Sequence, residues 1–141
     1  MKKIFFLLIG VILFSACLDT NDNTPNLTLQ FLPIDEFEVP DSFTPNQLDT
    51  IKIKYTLPNG CYSFERLFYQ TIDSITDRSV RDIAAIAVVE LDRPCTEALV
   101  QEDFEFAIRI AEEDEDYTLR FFKGVDDNGE NIFEEVVVPV N

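Results

Sequence analysis

Apolar residues recur at every second position through much of this chain. Leu27, Leu29 and Phe31 alternate with Thr28 and Gln30, and Ile51, Ile53, Tyr55 and Leu57 alternate with Lys52, Lys54 and Thr56. Phe104, Phe106, Ile108 and Ile110 alternate with Glu105 and Arg109 in the same way. Successive side chains of a strand point to opposite faces, so a period of two predicts half-buried strands. Aromatic-rich stretches at Tyr62–Gln70 and Tyr117–Phe122, with Ile132–Val140 at the end, add three more, and Phe37 with Val39 makes a short edge piece.

One stretch has no clear period. Ser79–Leu91, SVRDIAAIAVVEL, contains helix-favouring alanines in a dense apolar run. Its β-branched content and its bounds, Arg81-Asp82 and Asp92-Arg93-Pro94, favour a central strand covered on both faces, with a helix as the alternative. Turn chemistry agrees with strands. Pro58-Asn59-Gly60 supplies a fixed φ followed by residues that tolerate a left-handed backbone, and Asp126-Asp127-Asn128-Gly129 does the same before the last strand. About seven short strands separated by turn signals predict an all-β, antiparallel sandwich.

The pattern before residue 24 is different. Lys2 and Lys3 precede an uncharged run, Ile4–Phe14, that ends at Ser15-Ala16-Cys17 and then meets Asp19, Asn21, Asp22 and Asn23. A membrane-crossing helix needs about 20 apolar residues, so the order basic, apolar, small is that of a secretory signal. Leu13-Phe14-Ser15-Ala16-Cys17 resembles the lipobox of bacterial lipoproteins. That resemblance implies cleavage after residue 16, a diacylglycerol thioether on Cys17 and acylation of the new amino terminus, because more than one buried chain is needed for a stable anchor. Residues 1–16 are then the signal peptide, 17–26 a polar tether and 27–141 one domain. By analogy with other lipoproteins, Leu18 rather than aspartate after Cys17 implies the outer membrane, facing either the periplasm or the cell surface.

Composition narrows the partners. The chain has 27 acids, 11 bases and a formal charge of −16; loss of residues 1–16 removes two lysines and no acid, leaving −18. Such a surface repels phosphate backbones, so no nucleic acid partner is expected, and anionic membranes are poor partners. Ten phenylalanines and four tyrosines beyond the signal nevertheless supply a core, and a domain of this size buries roughly two-thirds of its unfolded surface.

Catalytic chemistry has little to stand on. The absence of histidine removes Ser-His-Asp, Cys-His and histidine-ligated zinc arrangements, and the four glycines form no phosphate-cradling loop. Carboxylate pairs remain, but among 27 acids none is singled out. The expectation is a non-enzyme with no cofactor and no metal. The alternative is calcium. With Gly129 at the sixth position of a calcium loop, Asp126, Asn128 and Glu135 fall on ligand positions, although Gly124 then occupies the first. A solvated hairpin turn is the plainer reading there, and a solvated connection is the plainer reading of the acidic run Glu112–Asp116. Asp49-Thr50-Ile51 and Asp73-Ser74-Ile75 resemble short bacterial O-glycosylation acceptors, and Asn26-Leu27-Thr28 is an N-glycosylation sequon that a bacterial host would leave idle.

Cys61 and Cys95 are the remaining thiols, and an exported domain lives in an oxidising compartment. One strand runs away from Cys61 and the next returns towards Cys95, so both sit at one end of the sandwich. Closing that loop contributes roughly 3 to 4 kcal/mol. A redox pair would want the CxxC spacing that this chain lacks.

FEFAIRIAEEDEDYTLRFF resembles the closing region of immunoglobulin-like domains, an acidic turn before a tyrosine that starts a strand, so the sandwich is expected to be immunoglobulin-like. The tether after Cys17, the LPNGCYSF and RPCTEAL segments and the closing EEVVVPVN resemble small envelope lipoproteins of Bacteroidetes type. The expected role is a non-catalytic binding or structural module, joined to the membrane through lipid on Cys17, whose partner is an envelope protein or glycan.

Overall fold

The computed structural model describes residues 24–71, 79–110 and 116–141. Eight strands lie in them, with no helix among the described residues: β1 (Leu27–Leu32), β2 (Ile34–Glu38), β3 (Leu48–Leu57), β4 (Tyr62–Thr71), β5 (Val80–Glu90), β6 (Val100–Arg109), β7 (Tyr117–Val125) and β8 (Asn131–Val138). The expected signal peptide at residues 1–16, Cys17, Asp73-Ser74-Ile75 and Glu112–Glu115 fall outside the described residues. The all-β sandwich expected from the alternation is the architecture found, and the edge piece at Phe37 is the eighth strand, β2.

The smaller sheet runs β2-β3-β6, and the larger one contains β1, β4, β5, β7 and β8. All strand pairs are antiparallel except one: β5 and β7 run parallel from Val80↔Thr118 to Ile83↔Phe121. This departs from the antiparallel expectation. It arises because β5 shares one flank between two strands, β1 beside Ala85–Glu90 and β7 beside Val80–Ile83, while β4 covers the other flank.

That placement explains why Ser79–Leu91 shows no period. The inner face of β5, Ile83, Ala85 and Ala87, belongs to the core between the sheets. On the outer face Ala84 and Ile86 are also buried. A strand covered on both faces needs apolar residues at consecutive positions, so strand, not helix, is the outcome at β5.

Ile51, Ile53 and Tyr55 of β3 share one core cluster with Leu119 and Phe121 of β7. Phe37 of β2 stacks on Phe121 with centroids 3.9 Å apart, and Tyr55 stacks on Phe64 at 5.2 Å. Tyr117, the tyrosine that starts β7, is buried edge-on against Phe43. Cys61 and Cys95 form a disulfide with their Cα atoms 5.3 Å apart. β4 leaves Cys61 and its antiparallel neighbour β5 returns towards Cys95, as the expected strand directions require. Gly60 makes the approach possible: its N–H donates to the Thr96 carbonyl at 2.9 Å, and a Cβ there would strike the Thr96 hydroxyl.

Candidate functional site

The two sheets present different outer faces. On the smaller sheet, Lys52 pairs with Glu105 at 3.1 Å and Lys54 with Glu36 at 2.8 Å, while the Thr56 hydroxyl donates to Asp35 at 2.8 Å. The Lys54 contact holds the Glu36 carboxyl below its ordinary range and lifts the Lys54 ammonium above its own. A groove of about 330 Å³ crosses this face, but the lysines lining it are already paired with Glu105 and Glu36, so beyond those pairs the charge it offers a ligand is that of two more carboxylates, Glu38 and Asp103.

On the larger sheet the register brings four phenylalanines together. Phe31 lies opposite Ile86, Phe68 opposite Ala84, and Phe122 opposite Phe133. All point outward, since their strand neighbours Leu32 and Phe121 point into the core. Phe31 meets Phe68 edge-on at 5.2 Å and Phe122 at 6.0 Å, and Phe122 meets Phe133 at 5.9 Å. Ala84 has only a methyl group to put between them. The result is a hollow of about 120 Å³ walled by the four rings and lined also by Asp82, Ala84 and Asn131. Phe31 remains 48% exposed, and exposed Leu29 and Leu27 continue the apolar surface along β1.

A charged group borders the hollow. Arg120 Nε lies 3.3 Å from Asp82 and 3.4 Å from Glu135, and its guanidinium sits over the Phe133 ring at 4.4 Å. Burial pushes the Asp82 carboxyl up from its ordinary value; Arg120 opposes that rise and Glu135 adds to it. The arrangement gives shape, apolar surface and one paired acid, the means of gripping an apolar group.

The calcium set is not assembled. Asp126 spends its carboxylate on the hairpin turn, accepting from the backbone N–H groups of Asn128 and Glu130 at 2.8 Å each and from the Asn128 amide at 3.3 Å. Those bonds hold its carboxyl below the ordinary range. Glu135 is in register with Arg120, whereas the turn lies beyond Val125↔Asn131. Four residues of strand, roughly 13 Å at about 3.3 Å each, separate Glu135 from Asn131. The spacing of a calcium loop assumes a compact coil, and here the second half of the motif is extended strand. Among the described residues no cluster of three metal-ligating side chains occurs. Thr50 of the first glycosylation-like motif is exposed on the outer face of β3, and Asn26 of the sequon is also exposed.

The phenylalanine hollow was not expected from the sequence, though Phe121-Phe122 held a clue. Two adjacent large apolar residues in a strand must occupy opposite faces, so one of them had to leave the core. No family model, no curated protein and no solved structure matches the chain.

Proposed function

We propose that the protein is a non-catalytic binding module of a bacterial cell envelope, held at the outer membrane through acylated Cys17, that captures a protein partner by seating one of its apolar side chains in the phenylalanine hollow. The hollow carries the reading. At about 120 Å³ it falls below the 300 Å³ or so at which pockets begin to enclose a whole small molecule, and it suits a single aliphatic side chain. Large apolar side chains gathered on one outer face are what an interaction site requires. The net acidity of the chain favours a partner segment that is basic beside its apolar anchor.

The lipid anchor rests on the order of residues 2–17. Labelling cells with a fatty-acid analogue tests it: the full chain takes up label and Cys17→Ser does not. For the hollow, a photoreactive residue replaces Asn131 at its rim and, in a second chain, Thr50 on the opposite face. A discrete protein adduct is expected from position 131, lost when Phe68→Ala is added and absent from position 50. Equal cross-linking from both positions would reject the hollow as the site.

A further inference from the structure

A second apolar surface lies at the pole where the domain begins. Three stretches meet there, the start of β1, the 58–61 turn and the 91–99 connection into β6, and the 126–130 turn lies at the same end because β7 runs parallel to β5. Leu91 N–H donates to the Asn26 carbonyl at 2.9 Å, Glu90 N–H donates to the Cys61 carbonyl at 3.0 Å, and Leu57 is in register with Val100. The Cys61–Cys95 bond pins the connection in place. Around this junction Leu27, Leu29, Leu91, Leu99 and Val100 are exposed, Leu99 at 73%. They make up five of the eleven exposed large hydrophobic residues among the described ones, so the pole is apolar well beyond an even spread.

The chain itself indicates what covers them. Cys17 stands ten residues before Leu27, a reach of at most about 36 Å when fully extended. β5 spans the domain with eleven residues, about 36 Å at 3.3 Å each. An anchor on Cys17 therefore lets this pole reach the bilayer at any extension of the tether, and the opposite pole only at its limit. The charges at the pole indicate the kind of lipid. Arg93 is committed to Glu90 at 3.0 Å and to the Gly60 carbonyl at 2.6 Å. Asp92 and Glu97 are acidic and the β7–β8 turn adds Asp126 and Asp127 at the same end, so among the described residues the surface presents no uncommitted cation to an anionic headgroup.

We propose that this pole docks on a zwitterionic lipid surface, with Leu91 and Leu99 entering the interfacial layer and the phenylalanine hollow remaining on the flank of the larger sheet. The disulfide gives the 91–99 connection a fixed shape before contact, so little ordering remains to be done on binding. The inference rests on the reading of Cys17 as the anchor, and the test separates the two. Both sheets lie wholly after residue 26, so a chain beginning at Cys17 contains the entire described fold. With Cys61 and Cys95 bonded, Cys17 is its lone thiol and can be coupled to a maleimide phospholipid in phosphatidylcholine vesicles. Coupling supplies the tether chemically whether or not cells acylate Cys17, which the fatty-acid label reports by itself. Hydrogen exchange of the backbone amides at 97–100 is expected to slow several-fold relative to the same chain with its thiol capped and no vesicles. The amides of 47–49, at the opposite pole, should not change. Leu91→Asp with Leu99→Asp should abolish the slowing, and phosphatidylglycerol vesicles should weaken it. Unchanged exchange at 97–100, equal slowing at both poles, or stronger slowing on phosphatidylglycerol would each overturn the proposal.

Discussion

The outer faces of the two sheets obey the same two-residue period and reach opposite results. On the smaller sheet the outward positions are Lys52, Lys54 and their acidic partners, ion pairs whose side chains are all more than 40% exposed. Such pairs are screened and contribute little; the face is content in water. On the larger sheet the outward positions are Phe31, Phe68, Phe122 and Phe133, arranged around a residue too small to fill the space between them. Alternation marks a strand and separates its two faces, but it does not say which face is the core, nor whether the other one is meant for solvent.

Truncating one residue on each face separates the two most strongly. Phe122→Ala should cost about 3 to 5 kcal/mol in urea unfolding, as a core phenylalanine does, because its ring is only 7% exposed although it lies outside the core between the sheets. Lys52→Ala, on the other face, should leave the midpoint unmoved. Equal effects would mean that the faces do not differ. Next in size is the disulfide, whose sequence separation of 34 corresponds to about 3 to 4 kcal/mol. Cys61 opens onto β4 and its carbonyl accepts from the Glu90 N–H of β5, so Cys61→Ala with Cys95→Ala should speed hydrogen exchange in β4 and β5 before it affects the β3–β6 ladder.

Acid titration sharpens the contrast further. The Asp82 carboxyl is raised, so its contribution to stability is full below its ordinary value of 3.8 and is lost as pH rises through its folded value. Asp126 is lowered, so its contribution is present above 3.8 and is lost as pH falls through its folded value. Unfolding curves from about pH 3 to pH 7 should therefore show the stability of wild type over Asp82→Asn shrinking as pH rises. The margin over Asp126→Asn should grow. Slopes of the same sign would show that the hollow does not desolvate Asp82. The smallest effect belongs to the smaller sheet: Lys54→Ala should let the Glu36 carboxyl, observed by NMR, return towards 4.5 with no shift in the unfolding midpoint.

Much of the strand pattern was legible in the sequence because it depends on neighbours within a few residues. The turns at Pro58-Asn59-Gly60 and Asp126–Gly129 and the alternation in β3 and β6 are of this kind, and the strand directions were enough to bring Cys61 beside Cys95. Leu27, Leu29 and Phe31 show where such reasoning stops. They alternate as a half-buried strand should, yet β1 turns them outward and buries Leu32 instead. The hollow is less legible still, since its walls come from β1, β4, β7 and β8 and its floor from β5. Only the split flank of β5 brings Phe31 beside Phe122, and no local signal encodes that. The calcium-loop spacing is not realised in the β7–β8 hairpin for the complementary reason, that a spacing rule presumes a backbone shape which this hairpin does not have.

The parallel pairing of β5 with β7 has a consequence in time. Between Ile83 and Thr118 the chain crosses to the smaller sheet, lays down β6 against β3 and returns. A hairpin can zip from its turn, but this pair has no turn to start from, and its contact waits for most of the other sheet. Folding governed by such distant pairings falls in the millisecond-to-second range rather than among the fast helical folders. The β4–β5 hairpin is comparatively local and can form first, and oxidation of Cys61 with Cys95 would then hold it while the rest is completed. A newly made chain would thus pass through a stage in which the outer edge of β5 is open along Val80–Ile83. In that interval it would be most exposed to pairing with the wrong strand.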